Sequence, residues 1–418
     1  MTHDGWRCAT CGTVVPVDAV MTWRCPAAGP DDTHHVLVPQ RSPGPVAMTE
    51  HDDPFVAFDA ELVWSRCAEA HGMSLGRRTE LIGRLGLGFR RTPCERHDAL
   101  SDRLGFSARG GVWVKDETAQ VAGSHKARHL MTVLLHLLMC EEVGVAPWRR
   151  NDRPRLAISS CGNAAIAAAT LAAAAHWPLD VMVPPGAGSA VLSRLGELGA
   201  TVHVCPRRAD DPPGDPCLHR FREAVGGGAV PFSVQGTENA WCLDGGRTLG
   251  WELPEGFDHL FLQVGGGAFA ASVGAAVVGS HARPPHIHAV QTEGCAPLAR
   301  AWELAKALPG GVASAASHWE DCMWPWESPS PSLADGILDD ETYDWIQVIE
   351  AMAATGGSPV VVPEHMVGEA HHLIVDELGL AVSPTGSAGL AGLLAKRPFL
   401  DDDARVIVVH SGVLRRDG

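Results

Sequence analysis

One lysine stands where an amine can act as a nucleophile. Only four of the 33 basic residues are lysines, and they are Lys115, Lys126, Lys306 and Lys396. Lys126 follows a strand that ends near Val114 and lies in the first turn of a helix predicted over residues 124–142. The helix dipole disfavours a cation at that end, so we expect a lowered pKa and a more nucleophilic amine. An ordinary surface lysine is the alternative.

Two other segments place polar side chains directly after a predicted strand. The run Ser160-Cys161-Gly162-Asn163 follows the strand over residues 156–159 and opens an alanine-rich helix. Its hydroxyl, amide and backbone N–H groups suit a carboxylate, although simple capping of the helix explains the same residues. Ser411 comes just after the last strand, where its hydroxyl can meet a ring nitrogen.

A glycine-rich loop follows a third strand. Gly265, Gly266 and Gly267 precede Ala268 and a predicted helix, so backbone amides can approach a phosphate closely. A tight packing turn explains these glycines equally well. The spacing Gly265-x-Gly267-x-x-Ala270, with Glu293 at the end of the next strand, also fits a dinucleotide fingerprint.

The elements that must position these residues alternate between strand and helix. Strands are predicted over residues 112–114, 156–159, 181–183, 201–205, 260–264, 287–291, 359–362 and 406–409. Helices are predicted over residues 124–142, 163–175, 272–280 and 365–378. This alternation predicts an α/β protein with mostly parallel sheets flanked by helices. Ligands then bind beyond the carboxyl ends of the strands, where the four segments lie.

In this order the motifs resemble the fold-type-II enzymes of pyridoxal phosphate (PLP), the tryptophan synthase β superfamily, and among them threonine synthases most. The K-x-E…G-S-F-K-x-R motif is matched by Lys115, Glu117 and residues 123–128. The S-x-G-N motif is matched by residues 160–163, and the glycine loop by residues 265–268. Residues 239–248 and 384–391 echo two further motifs, and the resemblance runs from about residue 75 to the C-terminus. It implies a two-domain PLP enzyme.

The resemblance also implies roles for individual residues. Lys126 would form the Schiff base (the internal aldimine) with PLP and then abstract the substrate's α-proton. Asn163 would bind the phenolic oxygen of the cofactor, and Ser411 would face its pyridine nitrogen. The backbone of residues Gly265, Gly266, Gly267 and Ala268 would bind its phosphate. Ser160, Cys161 and Gly162 would hold the substrate carboxylate.

Some positions depart from the family pattern. His125 replaces an aromatic residue beside the Schiff-base lysine, where it contacts the substrate as a proton relay or serves as packing. Ala127 replaces an acidic residue and resembles the form found in dehydratases. Cys161 replaces a small residue and is either reactive or buried and inert. These departures leave the cofactor prediction intact and the substrate open.

The first 44 residues resemble the zinc-ribbon-like segment with which many threonine synthases begin. The pair Cys8-x-x-Cys11 is intact, whereas Cys25 lacks its partner cysteine. His34 or His35 is able to supply the fourth ligand of a structural Zn²⁺ site, and we take Cys8, Cys11, Cys25 and His34 as the predicted set. A metal-free relic is the alternative.

Charge and composition limit the partners. The net charge of −16 repels phosphate backbones, so we expect no nucleic-acid partner. No signal peptide or membrane span is recognisable. Twelve cysteines in a long chain without such a signal indicate reduced thiols, and we therefore expect a cytoplasmic protein. The resemblance implies a homodimer and a small amino-acid substrate. The predicted division is 1–44 ribbon and linker, 45–130 large domain, 131–239 small domain and 240–418 large domain again.

The sequence predicts a PLP-dependent lyase that catalyses elimination or replacement, in the manner of threonine synthase converting O-phosphohomoserine to threonine. A serine or threonine ammonia-lyase (dehydratase) is the alternative within the same cofactor class. An NAD-binding oxidoreductase explains the glycine spacing but neither the Lys126 nor the Asn163 segment. A catalytically silent relative is the third alternative, and the retention of Lys126 argues against it.

Overall fold

The computed structural model describes residues 5–29 and 32–415. Its strands form three sheets. Their bounds in chain order are β1 (Trp6–Cys8), β2 (Val14–Val15), β3 (Leu37–Pro39), β4 (Cys94–Arg96), β5 (Gly111–Asp116), β6 (Leu156–Ser159), β7 (Leu179–Val183), β8 (Thr201–Val204), β9 (Val230–Pro231), β10 (His259–Gln263), β11 (His286–Thr292), β12 (Ser358–Val362) and β13 (Arg405–His410).

Helices connect most of these strands. They are α1 (Pro54–Ala57), α2 (Val63–Ala70), α3 (Leu75–Leu85), α4 (Asp98–Arg103), α5 (Lys126–Val143), α6 (Asn163–Ala174), α7 (Ser189–Glu197), α8 (Pro216–Gly226), α9 (Trp241–Trp251), α10 (Ala268–Ser280), α11 (Pro297–Ala307), α12 (Trp319–Cys322), α13 (Trp345–Thr355), α14 (Glu364–His372) and α15 (Pro384–Lys396). Among the described residues, no helix is both long enough and apolar enough to cross a membrane.

The largest sheet has six strands in the order β12-β11-β10-β13-β5-β4. All neighbours are parallel except β4, which pairs antiparallel with β5 at one edge. A second, four-stranded sheet, β8-β7-β6-β9, is parallel throughout. The predicted α/β class with parallel sheets is confirmed, and the predicted strands differ from the observed ones only at their ends.

The division into domains stays a prediction. The four-stranded sheet lies entirely within the predicted small domain, residues 131–239. The first boundary of that domain falls inside α5, so a continuous helix crosses it. The second boundary falls just before α9.

Helix α5, which begins at Lys126, is buried on almost every side. The sequence pattern predicts a single apolar stripe, but Arg128, His129, Thr132 and His136 are buried as well. This happens because α5 packs between α9 and α6 and also contacts α2 and α3. The helix begins two residues later than predicted, and the hydroxyl of Ser124 accepts a weak hydrogen bond from the Lys126 N–H (3.4 Å).

The N-terminal ribbon, β1 to β3, packs against helices α5 and α9. The Trp6 ring meets the edge of Trp241 with centroids 5.0 Å apart. The Trp241 indole donates a hydrogen bond to the Thr22 carbonyl (3.1 Å), and the Met21 N–H donates to the buried His136 ring (2.9 Å). The ribbon therefore shares its hydrophobic core with α5 and α9.

Candidate active site

Four loops that follow parallel strands converge at the carboxyl ends of the two larger sheets. The loop after β5 leads to Lys126, and the loop after β10 contains the three glycines. The chain after β13 carries Ser411, and the loop after β6 of the other sheet ends at Asn163. These are the loops in which the sequence predicts the site, and α/β sheets bind ligands at this edge.

Lys126 is half-buried at the start of α5. Burial lowers the pKa of its amine, while the carboxylates of Asp339 and Asp344 act in the opposite direction. The predicted cause of a lowered pKa is the helix dipole, whereas desolvation is the larger cause here. A lowered pKa makes the neutral amine, the form that acts as a nucleophile and as a base, easier to reach.

His125 and Ser411 lie in contact beside Lys126. The Ser411 hydroxyl accepts a hydrogen bond from the His125 N–H (3.0 Å) and is 2.5 Å from the ring nitrogen Nδ1. The His125 ring stacks on Phe269, with centroids 4.2 Å apart. Burial and the Lys126 charge hold the pKa of His125 well below its usual range, so the ring is neutral. Its buried Nε2 has no protein partner among the described residues, which leaves one ring nitrogen available to a ligand.

Asn163 is fixed by a residue that the sequence analysis missed. The Arg415 guanidinium donates hydrogen bonds to the Asn163 Oδ1 and to the Ala122 carbonyl, the latter at 2.7 Å. The amide nitrogen of Asn163 is on the side of Gly412, where an ideal Cβ would lie only 2.7 Å from it. A glycine is required there for the close approach, and its φ of +109° also favours glycine.

The glycine loop already lies against an anion of its own chain. An ideal Cβ on Gly265 would lie 2.2 Å from the Asp339 Oδ2, and the Gly266 N–H stabilises that carboxylate. Gly267 has a φ of +98°, and α10 begins at Ala268 without a side-chain cap, so its first N–H groups are free of side-chain acceptors. A loop that accepts a carboxylate in this way fits the phosphate of PLP.

The segment that supplies this carboxylate, residues 335–344, carries five acidic side chains. Burial raises the pKa of Asp339 to about 6 and that of Asp344 to about 7. Tyr343 of the same segment lies against Gly266 and packs on the apolar cluster of the four-stranded sheet. In the sequence this stretch resembles a solvated acidic run, so no sequence signal identifies it as part of the site.

The predicted substrate loop forms an open rim. The Ser160 hydroxyl accepts a weak hydrogen bond from the Gly162 N–H (3.3 Å), and a Cβ on Gly162 would meet open space. Cys161 is exposed, so the alternative of a buried cysteine was wrong. Partial desolvation and then the Asp335 charge raise the pKa of its thiol, which disfavours a reactive thiolate.

Beneath Lys126, the other charged residues of the lysine motif form a buried ion network. Arg128 donates to both Glu117 (2.8 Å) and Glu252 (2.5 Å), and the Lys115 amine donates to Glu252 (2.5 Å). The side chains of Arg128, Glu117 and Lys115 are inaccessible to solvent. Because the charges satisfy one another, these residues hold the first turn of α5 in place and are not free to bind a substrate.

The N-terminal cysteines form a cluster that corrects one predicted ligand. Atoms of Cys8, Cys11, Cys25 and His35 that can bind a metal all lie within 4.8 Å of one another. His34, the predicted fourth ligand, instead stacks on Trp319 with ring centroids 5.2 Å apart. The two neighbouring side chains point in different directions, and only His35 faces the cysteines, with its Nδ1 3.3 Å from the Cys8 sulphur.

A lysine at a helix start, a glycine loop and an asparagine amide, each at the carboxyl end of a parallel strand, define the class of site that binds a phosphorylated aldehyde cofactor. The chain belongs to the family of pyridoxal-phosphate dependent enzymes, whose family model matches residues 85–412. PLP is therefore the cofactor, and Lys126, Asn163, Ser411 and residues 265–268 are the groups that would hold it. The family match also favours the PLP interpretation of the glycine loop over the dinucleotide one.

Individual proteins are similar to this chain at low sequence identity. The chain is 22% identical to a threonine synthase of Methanocaldococcus jannaschii over 339 residues, which covers 77% of this chain and 74% of the relative. A threonine deaminase of T.th. superposes with a TM-score of 0.63 at 20% identity, covering 82% of this chain and 99% of that one. A maize serine racemase gives a TM-score of 0.61 at 18% identity, covering 81% and 93%.

Proposed function

We propose that this protein is a PLP-dependent lyase that eliminates or replaces a group on a small amino acid. The observation that carries the proposal is the half-buried Lys126, with its lowered pKa, beside a glycine loop that accepts an anion. When bound, PLP supplies an electron-withdrawing ring. Lys126 Nζ would bind the cofactor and then move the substrate's α-proton, and residues 160–162 would hold the substrate carboxylate.

Ser411 bears on the type of reaction. A neutral hydroxyl does not keep a pyridine nitrogen protonated as a carboxylate does, so the ring withdraws electrons less strongly. That favours elimination and replacement over transamination. The neutral His125 ring, held by Ser411 and Phe269, is placed to accept or donate one hydrogen bond near the substrate.

The predicted threonine-synthase-type reaction on O-phosphohomoserine requires cations for a second phosphate. Arg128 and Arg247 are engaged in internal ion pairs with Glu117 and Asp244. Arg194 and Arg415 both line a cavity of about 650 Å³ that reaches Ala122, just before Lys126. Arg194 is paired there with Glu197 (2.8 Å), and Arg415 donates to Asn163 and Ala122. This cavity and the similarity to a threonine synthase support the replacement reaction.

The second candidate, β-elimination on serine or threonine, is favoured by the acidic groups around Lys126. Asp339 and Asp344 are close enough to influence the pKa of the Lys126 amine. To the extent that they are ionised, these side chains repel a doubly charged substrate phosphate but not a neutral hydroxyl. Ala127, which resembles the dehydratase form, points the same way, and we therefore favour serine or threonine over O-phosphohomoserine.

The proposal is tested on the purified protein incubated with PLP. We expect the wild type to show a visible absorption band that borohydride removes. The Lys126→Ala variant should not form this band, because it lacks the amine that binds PLP. Serine, threonine and O-phosphohomoserine are then compared for release of keto acid or phosphate. Keto acid from serine or threonine supports the ammonia-lyase, whereas phosphate with threonine supports the synthase. Absence of any band with excess PLP contradicts both.

We further propose a structural zinc ion at Cys8, Cys11, Cys25 and His35. The Asp32 carboxylate lies 3.2 Å from the Nε2 of His35, so it orients the ring whose Nδ1 faces the sulphurs. Carboxylates commonly support metal-binding histidines in this manner.

A homodimer is likewise a proposal, supported by the family resemblance and tested by light scattering after gel filtration.

A further inference from the structure

We propose that Arg415, near the C-terminus, is a positioning residue that fixes the Asn163 amide for the cofactor. The inference rests on the proposed use of PLP and adds a residue that the sequence motifs do not contain. It follows from three features: the direction of one hydrogen bond, the charge of its donor, and a second anchor on the loop that leads to Lys126.

The donor determines which way the Asn163 amide points. A guanidinium carries only N–H donors and no acceptor, so the Asn163 atom that it contacts must be the carbonyl oxygen. The amide nitrogen then lies on the opposite side, facing Gly412, which follows Ser411 in the chain. Arg415 thus leaves the Asn163 N–H groups directed toward the loop that follows β13, at Gly412. That is the donor required for a phenolic oxygen.

The charge of Arg415 strengthens this arrangement. A hydrogen bond from a cation polarises the amide, and its N–H groups become better donors to a negatively charged oxygen. Burial, and then repulsion from Arg194, lower the pKa of Arg415. A lowered guanidinium pKa still leaves the group charged at neutral pH, because an arginine ordinarily titrates above pH 12.

The second anchor of Arg415 is the loop just before Lys126. The guanidinium donates to the Ala122 carbonyl (2.7 Å), and Ala122 has a φ of +59°, which is unusual for a residue with a side chain. One residue later, the Gly123 carbonyl accepts from the Val413 N–H (2.9 Å). A Cβ on Gly123 would lie 2.5 Å from the Val413 Cγ1, so the tail is packed closely against this loop.

Arg415 therefore links two loops that belong to different sheets. Asn163 opens α6 beside the four-stranded sheet, whereas Ala122 precedes α5 and follows β5 of the six-stranded sheet. The Arg415 side chain therefore limits the spacing between Asn163, the proposed donor to the phenolic oxygen, and the loop that leads to Lys126, the proposed anchor of the cofactor. A shift of Asn163 relative to the Ala122 carbonyl breaks one of these hydrogen bonds.

The experiment compares Arg415→Met with Arg415→Lys and with a matched control, Arg397→Met. Arg397 also bridges backbone carbonyls far away in sequence, at Leu104 (2.7 Å) and Gly105 (2.8 Å), but it lies away from the site. Each protein is titrated with PLP, and absorption and fluorescence excitation spectra of the bound cofactor are recorded. The thermal midpoint without PLP reports folding.

We expect Arg415→Met to bind PLP roughly tenfold more weakly, which corresponds to the loss of one charge-assisted hydrogen bond. The bound cofactor should also absorb less in the visible and more in the near ultraviolet, because an ionised phenolic oxygen is less stabilised. Arg415→Lys should restore part of both effects, and Arg397→Met should resemble the wild type. In an Asn163→Ala background, Arg415→Met should add nothing to the spectral change.

Three results overturn the inference. An unchanged spectrum in Arg415→Met, with a lowered thermal midpoint only, assigns Arg415 a purely structural role. Spectral changes that add to those of Asn163→Ala show that Arg415 does not act through Asn163. A wild-type protein without a cofactor band overturns the proposed function together with this inference. A normal wild-type band with an unchanged Arg415→Met spectrum overturns only the inference.

Discussion

Lys126 owes its lowered pKa mainly to burial at the start of α5, and this decides how a substitution there should behave. We expect Lys126→Ala to lose all turnover and all cofactor that borohydride can fix to the protein. Lys396→Ala, at the end of α15, should retain both, because that side chain is remote from the loops of the site. Mass spectrometry after borohydride treatment measures the outcome. Fixed cofactor on the Lys126→Ala protein would refute the assignment.

Asp344 is a buried carboxyl whose charge destabilises the fold at neutral pH. Burial raises its pKa to about 7, while in the unfolded chain it ionises near pH 4. Its contribution to stability is therefore full below about pH 4 and is lost as the pH rises through 7. We expect Asp344→Asn, measured by urea unfolding without PLP, to be more stable than the wild type at pH 8 by up to about 4 kcal/mol, the equivalent of about three pKa units.

The same comparison should give no difference near pH 4, where both side chains are neutral. Asp335→Asn is the control, because Asp335 belongs to the same segment but is exposed. A stability gain of Asp344→Asn that is equal at pH 4 and pH 8 would mean that the removed charge is not its cause.

At the scale of elements, the turn between β10 and α10 depends on backbone shape. Gly267 has a φ of +98°, and a Cβ there would lie 2.9 Å from the Thr342 Cγ2. We expect Gly267→Ala to weaken PLP binding at least tenfold, because the strained loop moves its N–H groups. Gly196→Ala is the control: it lies in α7 with open space around it, so it should gain about 0.5 kcal/mol of stability and bind PLP normally.

The ribbon yields a second prediction at this scale. We expect His35→Ala to lose zinc and to lower the thermal midpoint, since a closed four-ligand site contributes directly to folding. His34→Ala, which removes only a stacking contact with Trp319, should keep one zinc per chain. Metal content by plasma mass spectrometry distinguishes them. Equal zinc in the two variants, or no zinc in the wild type, speaks against the site.

At the scale of the whole molecule, the proposed PLP site combines loops from both larger sheets, so binding should stabilise the chain as a unit. At a hundredfold excess over its Kd, a ligand that binds only the folded state contributes about 2.7 kcal/mol. We expect a single calorimetric transition that moves upward with PLP concentration, and a smaller shift with pyridoxal, which lacks the phosphate. Equal shifts with both compounds would argue against phosphate recognition by residues 265–268.

The features that the sequence could predict are those that depend on local pattern. Each of these features is a short, continuous stretch of sequence: the strand ends, the glycine loop and the Ser160–Asn163 run. Parallel sheets then bring the strand ends together. Residues that join distant segments carry no local pattern: Asp339 sits in an acidic run, and Arg415 follows an ordinary strand end. The choice between His34 and His35 was likewise decided by tertiary packing, because both occupy adjacent positions in the chain.

The contact of the ribbon with α5 and α9 has an evolutionary consequence. The indole of Trp241 and the imidazole of His136 are covered by Trp6 and by the backbone at Met21 and Thr22. A recombination event at the proline-rich linker, residues 39–45, would separate these partners and leave an aromatic surface open to water. A descendant that lost the ribbon would therefore need polar replacements on α5 and α9, so the two parts are expected to be inherited together.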